Sequence, residues 1–262
     1  MEMELIKYPR TPHLAGSRLQ LGDEDLSQIP FSDIQGKYLV VEEKCDGANT
    51  AVSFDQSGEL LLQSRGHYLT GGYRERHYNL FKQWANVHRE AFWRVLGTRY
   101  VMYGEWMYAK HSVYYDALPH YFLEFDILDR ETGIFLDTPS RRKLTAQMPV
   151  VSVPVLKTGI FSDPKELLGL IGPSFYIRPG HMERLRAYCE KAGLDAKRQC
   201  QETEGSGLME GLYLKVEEGG CVTGRLKYVR ASFMQCILAS ESHWIDRPIV
   251  PNQLSGSVEE LF

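Results

Sequence analysis

The sequence predicts an α+β fold with antiparallel sheets flanked by helices. Three observations carry this expectation. Strand-like and helix-like stretches alternate irregularly, without the regular strand–helix rhythm of a doubly wound parallel sheet. β-Branched runs are joined by a hairpin signal, Asp55-Gln56-Ser57-Gly58, a connection that antiparallel strands use. The 262 residues are 43% hydrophobic and 24% charged, which allows a sizeable core and argues against disorder. That length suits one large domain or two small ones.

In chain order, the segment up to Pro30 is mixed, with turn signals in Leu21-Gly22-Asp23-Glu24-Asp25. Residues 37–41, 50–54 and 60–64 read as strands of one antiparallel meander. Residues 73–96 read as a single helix stopped by Gly97. Its apolar positions Leu80, Phe81, Trp84, Val87, Ala91, Phe92 and Val95 keep a helical spacing and read as core packing. Residues 100–107 and 120–128 return to strand character. A helix is expected over 138–147, with Pro139 in its first turn. A β-branched strand over 150–156 and helices over 164–171 and 181–192 follow. Residues 208–216 and 222–229 are the last strands, and 231–239 a closing helix. The expected organisation is one domain over 1–230 with a short helical tail, 231–262, packed on it.

Charge and cysteine usage narrow the function classes. A net charge of −4 excludes a generally basic nucleic-acid coat, while 30 Lys and Arg leave room for a local basic groove. No apolar run approaches the length that spans a bilayer. The start, Met1-Glu2-Met3-Glu4, lacks the basic-then-apolar pattern of a secretory signal. The five cysteines are spread widely and never form C-x-x-C. They point to a reducing, cytoplasmic setting without structural zinc. Cys45 reads as a strand-end residue, because no histidine partner stands near it.

The chemistry centres on Glu43-Lys44-Cys45-Asp46-Gly47, between two β-like runs. This places a lysine at a strand-to-strand turn with a carboxylate and a glycine behind it. Such a lysine is a covalent nucleophile when its pKa is lowered enough to free the amine lone pair. Candidate partners follow in order: Arg65 after the third strand; Glu105 within Tyr103-Gly104-Glu105-Trp106; Phe125 within Phe122-Leu123-Glu124-Phe125-Asp126-Ile127; Glu210 within Glu210-Gly211-Leu212-Tyr213-Leu214-Lys215; and Arg225 and Lys227 on one face of the last strand. Taken singly, each has a structural alternative: a surface ion pair for Arg65, exposed strand acids for Glu105 and Glu210, core packing for Phe125, a charged sheet edge for Arg225 and Lys227. Taken together, in this order after a K-x-D-G, they are hard to explain that way.

The series resembles the covalent nucleotidyltransferase superfamily of polynucleotide ligases and messenger-RNA capping enzymes, from about Glu42 to Arg230. The stretch from Gly104-Glu105-Trp106 through Ala109-Lys110-His111-Ser112-Val113-Tyr114-Tyr115-Asp116 to Phe125-Asp126-Ile127 is most similar to the ATP-dependent RNA ligase branch. The resemblance implies a nucleotidyltransferase fold, the ATP-grasp-like adenylation domain of ligases, here without a separate OB-fold. It implies that Lys44 attacks the α-phosphate of ATP and carries AMP. The adenylate then passes to a 5′-phosphate end, and a 3′-hydroxyl displaces AMP.

In that scheme Lys44, Glu105, Glu210, Arg225 and Lys227 are the catalytic set. Glu43, Arg65, Phe125 and Lys215 join Lys44, Glu105, Arg225 and Lys227 in holding the nucleotide. Glu210, with Glu105, holds Mg2+ or Mn2+; magnesium takes only one or two carboxylates and keeps waters. Phe125 stacks on the adenine, worth roughly 1–3 kcal/mol. Asp46 orients the lysine loop. Many relatives carry two lysines in the last motif where this chain has Arg225 first, and the two are not interchangeable. The expected partners are RNA termini, with a partner protein or domain supplying end recognition, and no membrane. A DNA ligase, a GTP-using capping enzyme and a non-catalytic nucleic-acid-binding module on the same fold remain the alternatives. His111, Asp116 and His120 lack tight zinc-ligand spacing. Arg141-Arg142-Lys143 reads as a phosphate-contacting patch or a solvated helix face.

Overall fold

The computed structural model describes residues 5–19, 23, 26–233 and 248–262. Two six-stranded sheets face each other. The first contains β1 (His13–Leu14), β2 (Gln28–Ile29), β3 (Tyr38–Lys44), β10 (Val155–Ile160), β11 (Gly211–Glu218) and β12 (Cys221–Val229), in the order β10-β3-β11-β12-β1-β2. The second runs β5-β4-β6-β7-β8, from β4 (Ala48–Phe54), β5 (Leu60–Ser64), β6 (Tyr100–Trp106), β7 (Phe122–Asp129) and β8 (Ile134–Phe135), with β9 (Val151–Ser152) added beside β7. Pairing is mainly antiparallel, with parallel contacts at β1–β12, β1–β2 and β7–β9.

Each strand alternates between two environments, and that alternation sorts the residues. On β3, Leu39 and Val41 meet Leu212, Leu214 and Val216 in one core. On the opposite face, Glu42 and Lys44 look toward the second sheet. That sheet buries its outer face under α1 (Asn79–Val87) and α2 (Arg89–Leu96), through Phe81, Trp84, Phe92 and Leu96 against Val52, Phe54 and Met102. The remaining helices are α3 (Thr138–Thr145), α4 (Pro164–Leu168), α5 (His181–Lys191) and α6 (Ala196–Gln201). Three of them start on an aspartate cap, Asp137, Asp163 and Asp195, whose carboxylates accept first-turn backbone N–H groups.

Several expected boundaries shift. The stretch 73–96 is not one helix: a 3-10 turn leads into α1, and His88 separates α1 from α2. Nor do the first three expected strands form one meander. β3 lies in the first sheet and β4–β5 in the second, so the K-x-D-G segment is a crossover between sheets. The strand expected over 150–156 is split into β9 and β10. The closing helix expected over 231–239 lies, from residue 234, outside the described residues. Residues 248–262 pack against the loop after β6. There Asn252, fully buried, accepts from the Tyr115 N–H and donates to the Met107 carbonyl.

Candidate active site

Lys44 is the last residue of β3, in register with Gly211 at the start of β11. Glu210 is thereby set beside it, and Lys44 Nζ donates to Glu210 Oε2 at 2.7 Å. Gly211 permits this close packing: a Cβ there would stand 1.8 Å from the Tyr228 carbonyl oxygen. Gly47 plays the same part on the other sheet. A Cβ on it would lie 2.9 Å from Glu105 Cγ, and its N–H donates to Glu105 Oε1 at 3.1 Å. Asp46 accepts from the backbone N–H groups of Ser112 and Val113 at 2.7 and 2.9 Å. Its carboxylate therefore clamps the lysine segment to the loop after β6.

The electrostatics differ from those of a ready nucleophile. Burial alone would push the Lys44 amine down, but Glu210, then Glu105 and Asp46, outweigh it and raise its pKa. Lys44 is thus held as an ammonium, with no free lone pair. Burial lifts Glu105 to about 7; the Lys44 charge opposes this only in part, and the neighbouring Glu210 carboxylate adds to the rise. Burial also keeps the Cys45 thiol protonated, its pKa well above the usual range.

The last strand places its two cations differently. Lys227 is ion-paired with Asp23, and burial together with the Lys44 charge lowers its pKa. Lys44 and Lys227 thus sense one another across the same face. Arg225 is directed to the inner end of the cleft. Its Nε donates to Asp126 Oδ2 and to Tyr8 Oη, both at 2.9 Å, and its guanidinium lies 3.9 Å from the Phe135 ring centroid. Arg225 Nη2 is buried with no hydrogen-bond partner among the described residues.

Phe125 owes its position to a β-bulge. Tyr103 pairs with Asp126 and Gly104 with Glu124, so Phe125 is the extra residue. Glu124 pairs with Arg141 of α3 and Asp126 with Arg225 of β12, and Phe125 packs edge-on against Tyr8. Arg65 is exposed just past β5, at the level of Asn49, which is in register with Glu105.

Two expected nucleotide contacts are placed elsewhere. The Glu43 side chain lies on the face of β3 opposite Lys44, buried, accepting from Ser174 Oγ and the Phe175 N–H. Lys215 is fully buried between Glu42, Asp126 and the Phe125 carbonyl. Alternation along the strand explains the first, and the ion pairs explain the second. Arg141 is likewise neither a surface patch nor a solvated face. It is fully buried and bridges Glu42 and Glu124, while Arg142 and Lys143 are exposed. His111, Asp116 and His120 do not converge: Asp116 takes Arg178 and Arg184, and His120 Nδ1 accepts the Phe122 N–H.

Four residues of this region were not named from the sequence as candidates. Tyr8, His13 and Asp23 come from the N-terminal segment and reach β12 over a separation of about two hundred residues, which no local pattern reveals. Asn49 had a signal, a polar side chain at the start of a mostly apolar strand.

The sequence profile described as RNA ligase matches residues 37–229. No curated protein matches the chain. Among solved structures, a mutant Naegleria gruberi RNA ligase with AMP and Mn shares 16% identity at a TM-score of 0.50, covering 76% of this chain and 51% of that one. A second mutant, with ATP and Mn, gives 17%, 0.50, 77% and 52%. A third, also with ATP and Mn, gives 14%, 0.50, 87% and 61%. At these identities the likeness establishes the shared fold, and this chain spans about half the length of the ligases first matched. With the profile running from the strand before Lys44 to the end of β12, the chain belongs to the RNA ligase family.

Proposed function

We propose that the chain is the adenylating part of an ATP-dependent RNA ligase, with Lys44 the residue that carries AMP. The observation behind this reading is the Lys44–Glu210 pair at 2.7 Å, enclosed by Glu105, Asp46 and Lys227 on the facing surfaces of two sheets. The Lys44 amine attacks the α-phosphorus of ATP. A P–N bond forms, the P–O bond to pyrophosphate breaks, and two protons leave the nitrogen for solvent or pyrophosphate, one as the ammonium becomes the attacking amine and one as the phosphoramide forms. AMP is then transferred to a 5′-phosphate end, and a 3′-hydroxyl displaces it.

The acids explain how one site both stores and releases the nucleophile. Glu210 holds Lys44 as a cation, so the amine becomes a nucleophile only when the Glu210 carboxylate is engaged elsewhere. Glu210 and Glu105 fit Mg2+ or Mn2+, an ion that takes one or two carboxylates and retains waters. The ion supplies charge shielding of the triphosphate and orients its leaving group. Lys227 stabilises charge that gathers on phosphate in the transition state. Arg225 Nη2 is a donor left over for the nucleotide, and Phe125 offers a ring for the adenine. Glu43 and Lys215 act through the scaffold, since their side chains are committed elsewhere. The partners are RNA ends, with a further domain or protein for end recognition. The free thiols of Cys45, Cys189, Cys200 and Cys221 suit a cytoplasmic setting, and no described helix is long and apolar enough to cross a membrane.

The test is incubation with α-labelled ATP or GTP and magnesium, followed by a denaturing gel. A labelled band with ATP that is lost in Lys44→Ala and Lys44→Arg supports the reading. Arginine cannot replace lysine because its guanidinium does not deprotonate in proteins. Label retained in Lys44→Ala at the wild-type rate would overturn it, and label from GTP alone would favour a capping-type activity.

A further inference from the structure

The N-terminal segment brings its own chemistry to the face that carries Lys44. Three groups converge on the Asp23 carboxylate. Lys227 Nζ donates to Oδ2, His13 Nε2 stands 3.2 Å from the same oxygen, and Arg10 Nη2 lies 3.7 Å from Oδ1. The convergence is built by the backbone. β1 runs parallel to β12, between it and the edge strand β2, with His13 in register with Lys227. The Lys227 N–H donates to the Pro12 carbonyl at 3.0 Å, and Ser17 Oγ accepts the Val229 N–H at 2.9 Å. His13 Nδ1 is paired with Ser17 Oγ at 2.7 Å, which leaves Nε2 aimed at Asp23. His13 is fully buried and Asp23 nearly so.

A carboxylate bonded by an ammonium and an imidazole, with a guanidinium within ion-pair distance, is surrounded as a phosphate oxygen pair would be. The place is also right, because Lys227 and His13 both sense the Lys44 charge. An ammonium buried beside Lys44 without an anion would be costly, so an acid from the chain itself keeps the position neutral when no substrate is present. We propose that Arg10, His13 and Lys227 form a phosphate subsite of the active site, and that Asp23 occupies it in the substrate-free state and leaves when phosphate arrives. The inference rests on the reading of Lys44 as the adenylated residue and extends it to the N-terminal segment. The phosphate has two possible sources, the pyrophosphoryl end of the triphosphate or the 5′-phosphate of a strand.

The probe is inorganic pyrophosphate, titrated calorimetrically into wild type, Asp23→Asn and Arg10→Gln. Asp23→Asn keeps the shape and removes the competing charge. It should bind pyrophosphate roughly tenfold more tightly, about 1.4 kcal/mol. Arg10→Gln changes a half-exposed side chain and should bind it several-fold more weakly with an unchanged melting temperature. Two further arms separate the sources. A lower KM for ATP in self-labelling by Asp23→Asn identifies the triphosphate. Tighter binding of a 5′-phosphorylated over a 5′-hydroxyl oligoribonucleotide, with KM for ATP unchanged, identifies the strand end. Unchanged or weaker pyrophosphate binding by Asp23→Asn would overturn the subsite and leave Asp23 a structural clamp. Should Asp23→Asn fail to fold, wild-type pyrophosphate affinity in Arg10→Gln overturns it equally. Pyrophosphate binding does not need Lys44 chemistry. A wild type that never self-labels therefore sinks the adenylation reading alone, and labelling with unaltered variants sinks the subsite alone.

Discussion

Glu43 and Lys44 are neighbours on β3 with opposite surroundings. Lys44 looks into the cleft between the sheets and finds three acids, whereas Glu43 looks the other way and finds Ser174 and the Phe175 N–H. Burial raises Glu43 from 4.5 to about 7, its two hydrogen bonds only partly opposing this. The folded state therefore holds the Glu43 proton more tightly than the unfolded chain does. Stability from this group is full below about pH 4.5, falls as pH rises toward 7, and is flat above. A shift of that size corresponds to roughly 3 kcal/mol. Glu43→Gln removes the titration and should be the more stable protein at pH 8 but not at pH 5, in urea unfolding at both values. Parallel stability profiles for the two proteins would contradict this. At this scale the motif residues themselves were legible: Lys44, Glu210, Glu105 and Lys227 were named from their order along the chain. What one residue's neighbours do to it was not. The raised pKa of Lys44 comes from Glu210, 166 positions away.

Between elements, a chain of alternating charges joins the two sheets. Arg141 on α3 bonds Glu42 on β3 at 2.9 Å and Glu124 on β7 at 2.7 Å. Lys215 on β11 reaches Glu42 at 3.0 Å and Asp126 at 3.7 Å, and Arg225 closes the series on Asp126. Three acids are matched by three cations, so the buried set is neutral. Arg141→Met would leave Glu42 and Glu124 buried and short of charge, a change that costs about 3–5 kcal/mol. Equilibrium denaturation should register that loss, and a loss below about 1 kcal/mol would show that the sheets do not depend on this bridge. The bridge explains why Arg141-Arg142-Lys143 misled. Three cations in a row look alike in sequence, but the helix turns the first inward and the next two to solvent. Similar limits apply to the strands. Hairpin logic joins neighbours in sequence and cannot see that the chain crosses to another sheet at Cys45-Asp46-Gly47. Likewise the apolar stripe from Leu80 to Val95 continues across His88, where the backbone leaves the helix and the imidazole Nε2 lies 2.8 Å from the Leu261 carbonyl oxygen.

In the whole molecule, the active face is assembled from distant parts. The N-terminal segment brings Tyr8, His13 and Asp23 to β12, while residues 248–262 hold the loop that clamps Asp46, through Asn252. The α+β class was legible because strand and helix periods are local. The enclosure of the site was not, because it depends on contacts that each end of the chain makes with strands and loops far from it in sequence. The same assembly bears on substrate choice. With a net charge of −4, the chain lacks a broad positive field, and a non-specific grip on a nucleic-acid backbone depends on such a field. Contacts at the reacting ends must then supply most of the discrimination. At a terminus, the group that distinguishes RNA from DNA is the 2′-hydroxyl. Replacing the terminal ribonucleotides on the 3′-hydroxyl side with deoxynucleotides should slow sealing about tenfold, the effect of losing about 1.4 kcal/mol of transition-state binding. The measurement is single-turnover sealing of matched nicked strands that differ only in those sugars. Pre-adenylated 5′ ends bypass the Lys44 step, so the rate reports end recognition alone. Equal rates on the two substrates would mean that the site joins strands without reading the sugar, and the RNA preference would then have to come from a partner.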